Sequence, residues 1–149
     1  MPANLSLDEL IQYTDWERQR WFDRLRQSGD HALTFTAGPN GDGRFDRVGD
    51  LMRHIFSAEK RYIERLSGLP LSDTSAIPTD RLDTLLQFSC ESRKNLREFV
   101  ASFPANEWDV PKEFLVLDYK TTATPRKIVV GRRFRQASLT QARARSGVQ

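Results

Sequence analysis

Apolar residues recur every three to four positions along three long stretches of the chain, the repeat that gathers them on one face of an α-helix. In residues 7–27 that face reads Leu7, Leu10, Ile11, then Trp21, Phe22 and Leu25. In residues 47–67 it reads Val48, Leu51, Met52, Ile55, then Tyr62, Ile63 and Leu66. In residues 80–103 it reads Leu82, Leu85, Leu86, then Leu96, Val100 and Phe103. Start and stop signals agree with these limits. Ser6 and Glu9 form an S-x-x-E capping box, and Asp46 is placed to cap the second stretch. Gly68 and Pro70 end that stretch, Pro78 and Pro104 bracket the third, and Thr124-Pro125 opens a fourth. Rods of about 20 residues are roughly 30 Å long. Four of them with apolar stripes predict an all-α protein, an antiparallel four-helix bundle. Between the first two, residues 31–43 (HALTFTAGPNGDG) read as a glycine-rich loop. Its NGDG is turn chemistry, because the acidic ligands of a calcium loop do not continue after it. Residues 114–119 (FLVLDY) read as an extended apolar segment lying on the bundle.

All three stripes are interrupted at mid-length. Thr14, Glu17 and Arg18 break the first, Glu59 the second, and Ser89, Ser92 and Arg93 the third. The middles of equal rods meet at one level, so the centre of the bundle there is polar. Charges in such a place cost several kcal/mol unless they pair or line a wet cavity. Two compatible readings follow. Glu59 forms a structural ion pair with Arg18 or Arg93, or the three line a polar pocket with convergent groups. Tyr13 and Trp16 lie off the first stripe, as they would at a self-association surface or beneath a covering loop.

Composition narrows the classes. A chain of 149 residues fits one domain with a real core. No apolar run approaches the ~20 residues of a membrane span, so no membrane partner is expected. The start, MPANLSLDEL, lacks the basic and apolar regions of a leader. The single cysteine excludes an internal disulfide and fits a cytoplasmic setting. Cys90, at the edge of the third stripe, reads as a small buried hydrophobe. The net charge of +3 is misleading: residues 126–149 hold six Arg and one Lys with no acid, so +3 less the tail's +7 leaves −4 elsewhere. Charge confined to a tail weighs against nucleic-acid binding, which needs a basic folded face. The only histidines are His31 and His54. His54 lies on the flank of the second helix, with Asp50 one turn earlier, where a carboxylate can reach an imidazole; a lone flank histidine is more often structural or solvated than a ligand.

The stretch VGDLMRHIFSAEKRYIERLSG, residues 48–68, resembles the second helix of the DinB/YfiT-like (damage-inducible protein DinB) family, in which a leucine-rich turn and a histidine precede an alanine–glutamate pair and an aromatic. The order of elements is also similar across residues 7–130: a helix with Trp16 and Trp21, this helix, a third, and a Thr-Pro start to the fourth. The resemblance implies a four-helix bundle, often a homodimer, and a divalent metal of the nickel or zinc type. The metal is held by a histidine of helix two, here His54, and two histidines one turn apart on helix four. It also implies a metal-dependent transferase or hydrolase acting on a small-molecule or thiol substrate. The chain departs from this pattern after Pro125, where RKIVVGRRFRQASLTQARARSGVQ has no histidine; Arg135 and Leu139 stand about where the pair belongs, and arginine does not ligate. Residues 1–130 thus read as the helical bundle and residues 131–149 as an atypical basic segment that completes or extends helix four. A degenerate member and a truncation or frame change near Val130 both account for the departure. Metal is expected to be absent or weakly bound. Two functions remain: an enzyme with an incomplete metal site, and a non-catalytic or vestigial binding bundle.

Overall fold

The computed structural model describes residues 6–37, 45–116 and 119–130, and they are mostly helical. Helix α1 spans Leu7–Ser28, α2 Val48–Leu66, α3 Leu82–Ser102 and α4 Pro125–Val130. A two-stranded antiparallel hairpin, β1 Lys112–Val116 and β2 Tyr119–Ala123, joins α3 to α4, with Phe114 opposite Thr121. Of the FLVLDY segment, Phe114 to Val116 lie in β1 and Tyr119 opens β2. Among the described residues no helix is long and apolar enough to cross a membrane.

The directions of the helices differ from a simple antiparallel bundle. Phe56 meets Phe88, and Glu59 meets Ser92, so contacts between α2 and α3 advance together and the two helices run parallel. Phe22 meets Phe56 while Arg18 meets Glu59, so α1 runs against both. Parallel neighbours need a long crossover, and residues 67–81 supply it by retracing α2 from end to start. Glu64 takes the Ser72 N–H at 2.8 Å and its hydroxyl at 2.9 Å. Ser57 and Thr74 share a buried hydrogen bond of 2.6 Å. Arg53 donates to the Ser75 and Ile77 carbonyls. At the far end the Thr79 carbonyl lies over Gly49, where any side chain would strike it. Helix α2 is thus covered on two sides: an apolar face against α1 and α3, and a polar face beneath this strap. That second cover buries Ser57 and Glu64, which pattern alone assigns to a solvated face.

The apolar core gathers Phe22, Met52, Phe56, Leu82, Leu85, Leu86 and Phe88 with Leu33. Leu33 comes from a 3-10 turn, Gly29–Thr34, so the segment expected to be all loop from residue 31 is helical at its start. The NGDG stretch lies outside the described residues. Two expected core residues are at the surface. Trp21 is 60% exposed, because it stands about 100° around α1 from buried Phe22. Cys90 is also exposed: the buried arc of α3 extends toward Phe88, which Phe56 covers, and away from Cys90.

Local chemistry explains the element ends. The Ser6–Glu9 capping box is formed, with Ser6 N–H donating to Glu9 at 2.7 Å. Asp46 does not cap α2. Thr36 bridges to Arg47 and the Val48 N–H donates to the Phe35 carbonyl, so backbone rather than a side chain satisfies that end. The first N–H of α3, Leu82, is taken at 2.8 Å by Asp30 from the 3-10 turn. At the other end of the molecule Phe99, Phe103 and Trp108 form a small aromatic cluster. The Trp108 carbonyl accepts the Arg126 N–H, and Asp109 binds the Arg126 guanidinium through both oxygens, fixing the start of α4.

Candidate functional site

The interrupted stripes of the three long helices meet. Glu59, only 2% exposed, receives Arg18 of α1 through two N–H groups, at 2.6 and 3.4 Å. The Ser92 hydroxyl of α3 donates to its other side at 3.2 Å, and the Arg93 guanidinium approaches to 3.8 Å. Arg18 also donates to Ser89 at 3.0 Å and lies over the Phe56 ring, 5.3 Å from its centroid. Arg93 in turn donates to Thr14 at 2.7 Å and contacts Asp15 at 2.9 Å, and Asp15 pairs with Arg97 at the surface. The charges alternate along one line: Arg18, Glu59, Arg93, Asp15, Arg97. Burial is deepest at Glu59, and the line runs out to the surface at Arg97, which is more than half exposed.

This arrangement follows from position on each helix. Thr14, Arg18 and Glu59 sit on faces that the flanking Ile11, Phe22 and Phe56 carry into the interior, so their heads must find partners there. Arginine is well suited to it: its planar fork binds a carboxylate through two N–H groups and stacks on an aromatic face. Asp15 and Arg97 extend the line and were not among the expected site residues. The signal for Asp15 was its place beside Ile11 and Phe22 on the wheel. Glu17, counted among the interruptions, is half-buried at the edge of this face.

His54 is elsewhere. It stands about 140° around α2 from Glu59, half-buried, with its ring stacked on Phe45 at 4.2 Å and 28°. His31 is exposed on the 3-10 turn, edge-on to Phe35 at 5.0 Å. The two imidazoles thus sit on different elements, each against an aromatic ring. Among the described residues no three or more His, Cys, Asp or Glu come together closely enough to hold a metal ion. The donor set at His54 does not fit the three-ligand centre that the resemblance implies, and Arg135 and Leu139 lie outside the described residues.

These features define a helical protein whose three long helices are tied together by a buried charged centre. No family model, no curated protein and no solved structure matches the chain.

Proposed function

We propose that the chain is a DinB/YfiT-like four-helix bundle that acts as a cytoplasmic, homodimeric binding protein without a resident metal. The observation that carries this reading is the division of the polar groups into two places. At the centre, Glu59 is engaged by Arg18, Ser92 and Arg93, so its carboxylate joins helices and is not presented to a ligand. On the flank, His54 is the only histidine of α2, and no histidine follows it in the chain. A metal that activates water or a thiolate needs about three protein ligands and an open position. This chain supplies one imidazole there.

The second reading, a metal-dependent transferase or hydrolase for a small or thiol substrate, is favoured by one observation: His54 occupies the place of the family's helix-two ligand, one turn after Asp50. Thermal melting with added nickel or zinc separates the two. A ligand that binds the folded state at a hundred times its dissociation constant stabilises it by about 2.7 kcal/mol. Millimolar metal that leaves the melting temperature unchanged supports the metal-free reading. A saturable rise of several degrees that His54→Ala abolishes overturns it.

A further inference from the structure

Arg18 is held as a bound cation would be. Among the described residues, every group that holds its guanidinium comes from α2 or α3. Its two terminal nitrogens donate to the two Glu59 oxygens at 2.6 and 3.4 Å, and one of them also donates to the Ser89 hydroxyl at 3.0 Å. The guanidinium carbon lies 5.3 Å from the centroid of the Phe56 ring. These receiving residues are buried: Phe56 is 4% exposed, Glu59 2% and Ser89 1%. The Ser92 hydroxyl, bonded to Glu59 and near the Phe56 carbonyl, orients the carboxylate from behind. Helices α2 and α3 pack directly on each other through Phe56 and Phe88, so the receiving surface is built without α1. The cover is light. Of α1 up to Arg18, only Ile11 is buried outright.

We propose that α2 and α3 form a binding site for a small molecule bearing a guanidinium or amidinium group, and that Arg18 is an internal occupant that keeps the site shut. The site is one that the reading above leaves unused, and it stands whether or not the chain holds a metal or dimerises. The receiving groups select the ligand class. Two carboxylate oxygens aimed at one cation take a pair of parallel N–H groups, which a guanidinium or amidinium supplies and a compact ammonium does not. A flat, weakly hydrated cation also rests well on an aromatic face. Glu59 repels an anion, and a neutral molecule would leave its buried charge poorly compensated. Arg93 does not take the place of such a ligand. Thr14 at 2.7 Å and Asp15 at 2.9 Å hold it, and its approach to Glu59 is 3.8 Å.

Arg18→Ala deletes from the side chain the atoms of N-ethylguanidinium, which makes that ion the probe. Calorimetry and thermal melting of the full chain are followed as the ion is added to about 50 mM, with ethylammonium chloride and sodium chloride as controls. Arg18→Ala is expected to bind ethylguanidinium saturably, with a millimolar dissociation constant and a rise in melting temperature of several degrees, and to ignore both controls. The wild type should bind it at least about tenfold more weakly, because the tethered Arg18 competes at a high effective concentration. Arg18→Ala/Glu59→Gln should not respond. Absence of a saturable response in folded Arg18→Ala overturns the proposal. An equal response to ethylammonium overturns the ligand class, and a response that survives Glu59→Gln overturns the location. A wild type that binds as tightly as Arg18→Ala overturns Arg18 as the occupant. Should Arg18→Ala not fold alone, circular dichroism decides: recovery with ethylguanidinium but not ethylammonium supports the site, and no recovery overturns it.

Discussion

Replacing Glu59 with alanine removes the one carboxylate that stands between two buried guanidinium groups. Arg18 loses both of its bonds to it, Ser92 loses an acceptor, and Arg93 loses its inner counter-charge, keeping Asp15 on the outer side. The side chains of Arg18 and Arg93 are 19% and 10% exposed, so water compensates little. Breaking a buried pair from one side costs ~3–5 kcal/mol. At 2–4 °C per kcal/mol for a chain of this length, the melting temperature should fall by about 6–20 °C. Arg18→Ala should cost less, about 1.5–3 kcal/mol, because Glu59 keeps Ser92 and Arg93. Since the two residues touch, the double variant should lose less than the sum of the single losses. Urea unfolding followed by circular dichroism measures all three. A Glu59→Ala loss below ~1 kcal/mol, with an unchanged dependence on urea, would refute the claim that this carboxylate holds the three helices together.

Two further expectations test the strap and the helix ends. Gly49→Ala drives a methyl group into the Thr79 carbonyl oxygen and should destabilise by ~1–3 kcal/mol; denaturant unfolding reads it, and a neutral result would mean that the strap does not lie on α2. Hydrogen bonds from Ser6 hold the Glu9 carboxyl below the usual glutamate range, and Arg126 does the same for Asp109 in the aspartate range. A carboxyl depressed in the folded state stabilises above its ordinary range, and that contribution is lost as pH falls through the depressed value. The first turn of α1 and the Trp108–Arg126 corner should therefore lose amide protection in acid, and carboxyl NMR titrations at Glu9 and Asp109 should have midpoints below those of unfolded peptides; ordinary midpoints would contradict the pairing.

The features legible in the sequence were those governed by local pattern. The capping box at Ser6 needs only residues within one turn, and the polar middles of three stripes needed only the helical repeat to be placed at one level. What was not legible depended on partners distant in sequence. Asp30 caps α3 across 52 positions, and the Thr36–Arg47 bridge removes the need for Asp46 as a cap. The parallel course of α2 and α3 is set by the strap, whose polar contacts with Arg53, Ser57 and Glu64 look in sequence like an ordinary solvated face. Trp21 and Cys90 show the limit of the wheel itself: a residue near the edge of a stripe is buried only if a neighbour arrives to cover it, and Phe56 reaches Phe88 instead. Likewise His54 sits where the resemblance places a ligand, but its ring meets Phe45.

The metal content of the wild-type protein, purified without added metal or chelator and compared with His54→Ala by inductively coupled plasma mass spectrometry, bears most directly on a bundle that works without a resident metal. The account predicts far less than one equivalent of any divalent transition metal per chain, the same in both proteins. One equivalent in the wild type that disappears in His54→Ala would contradict it.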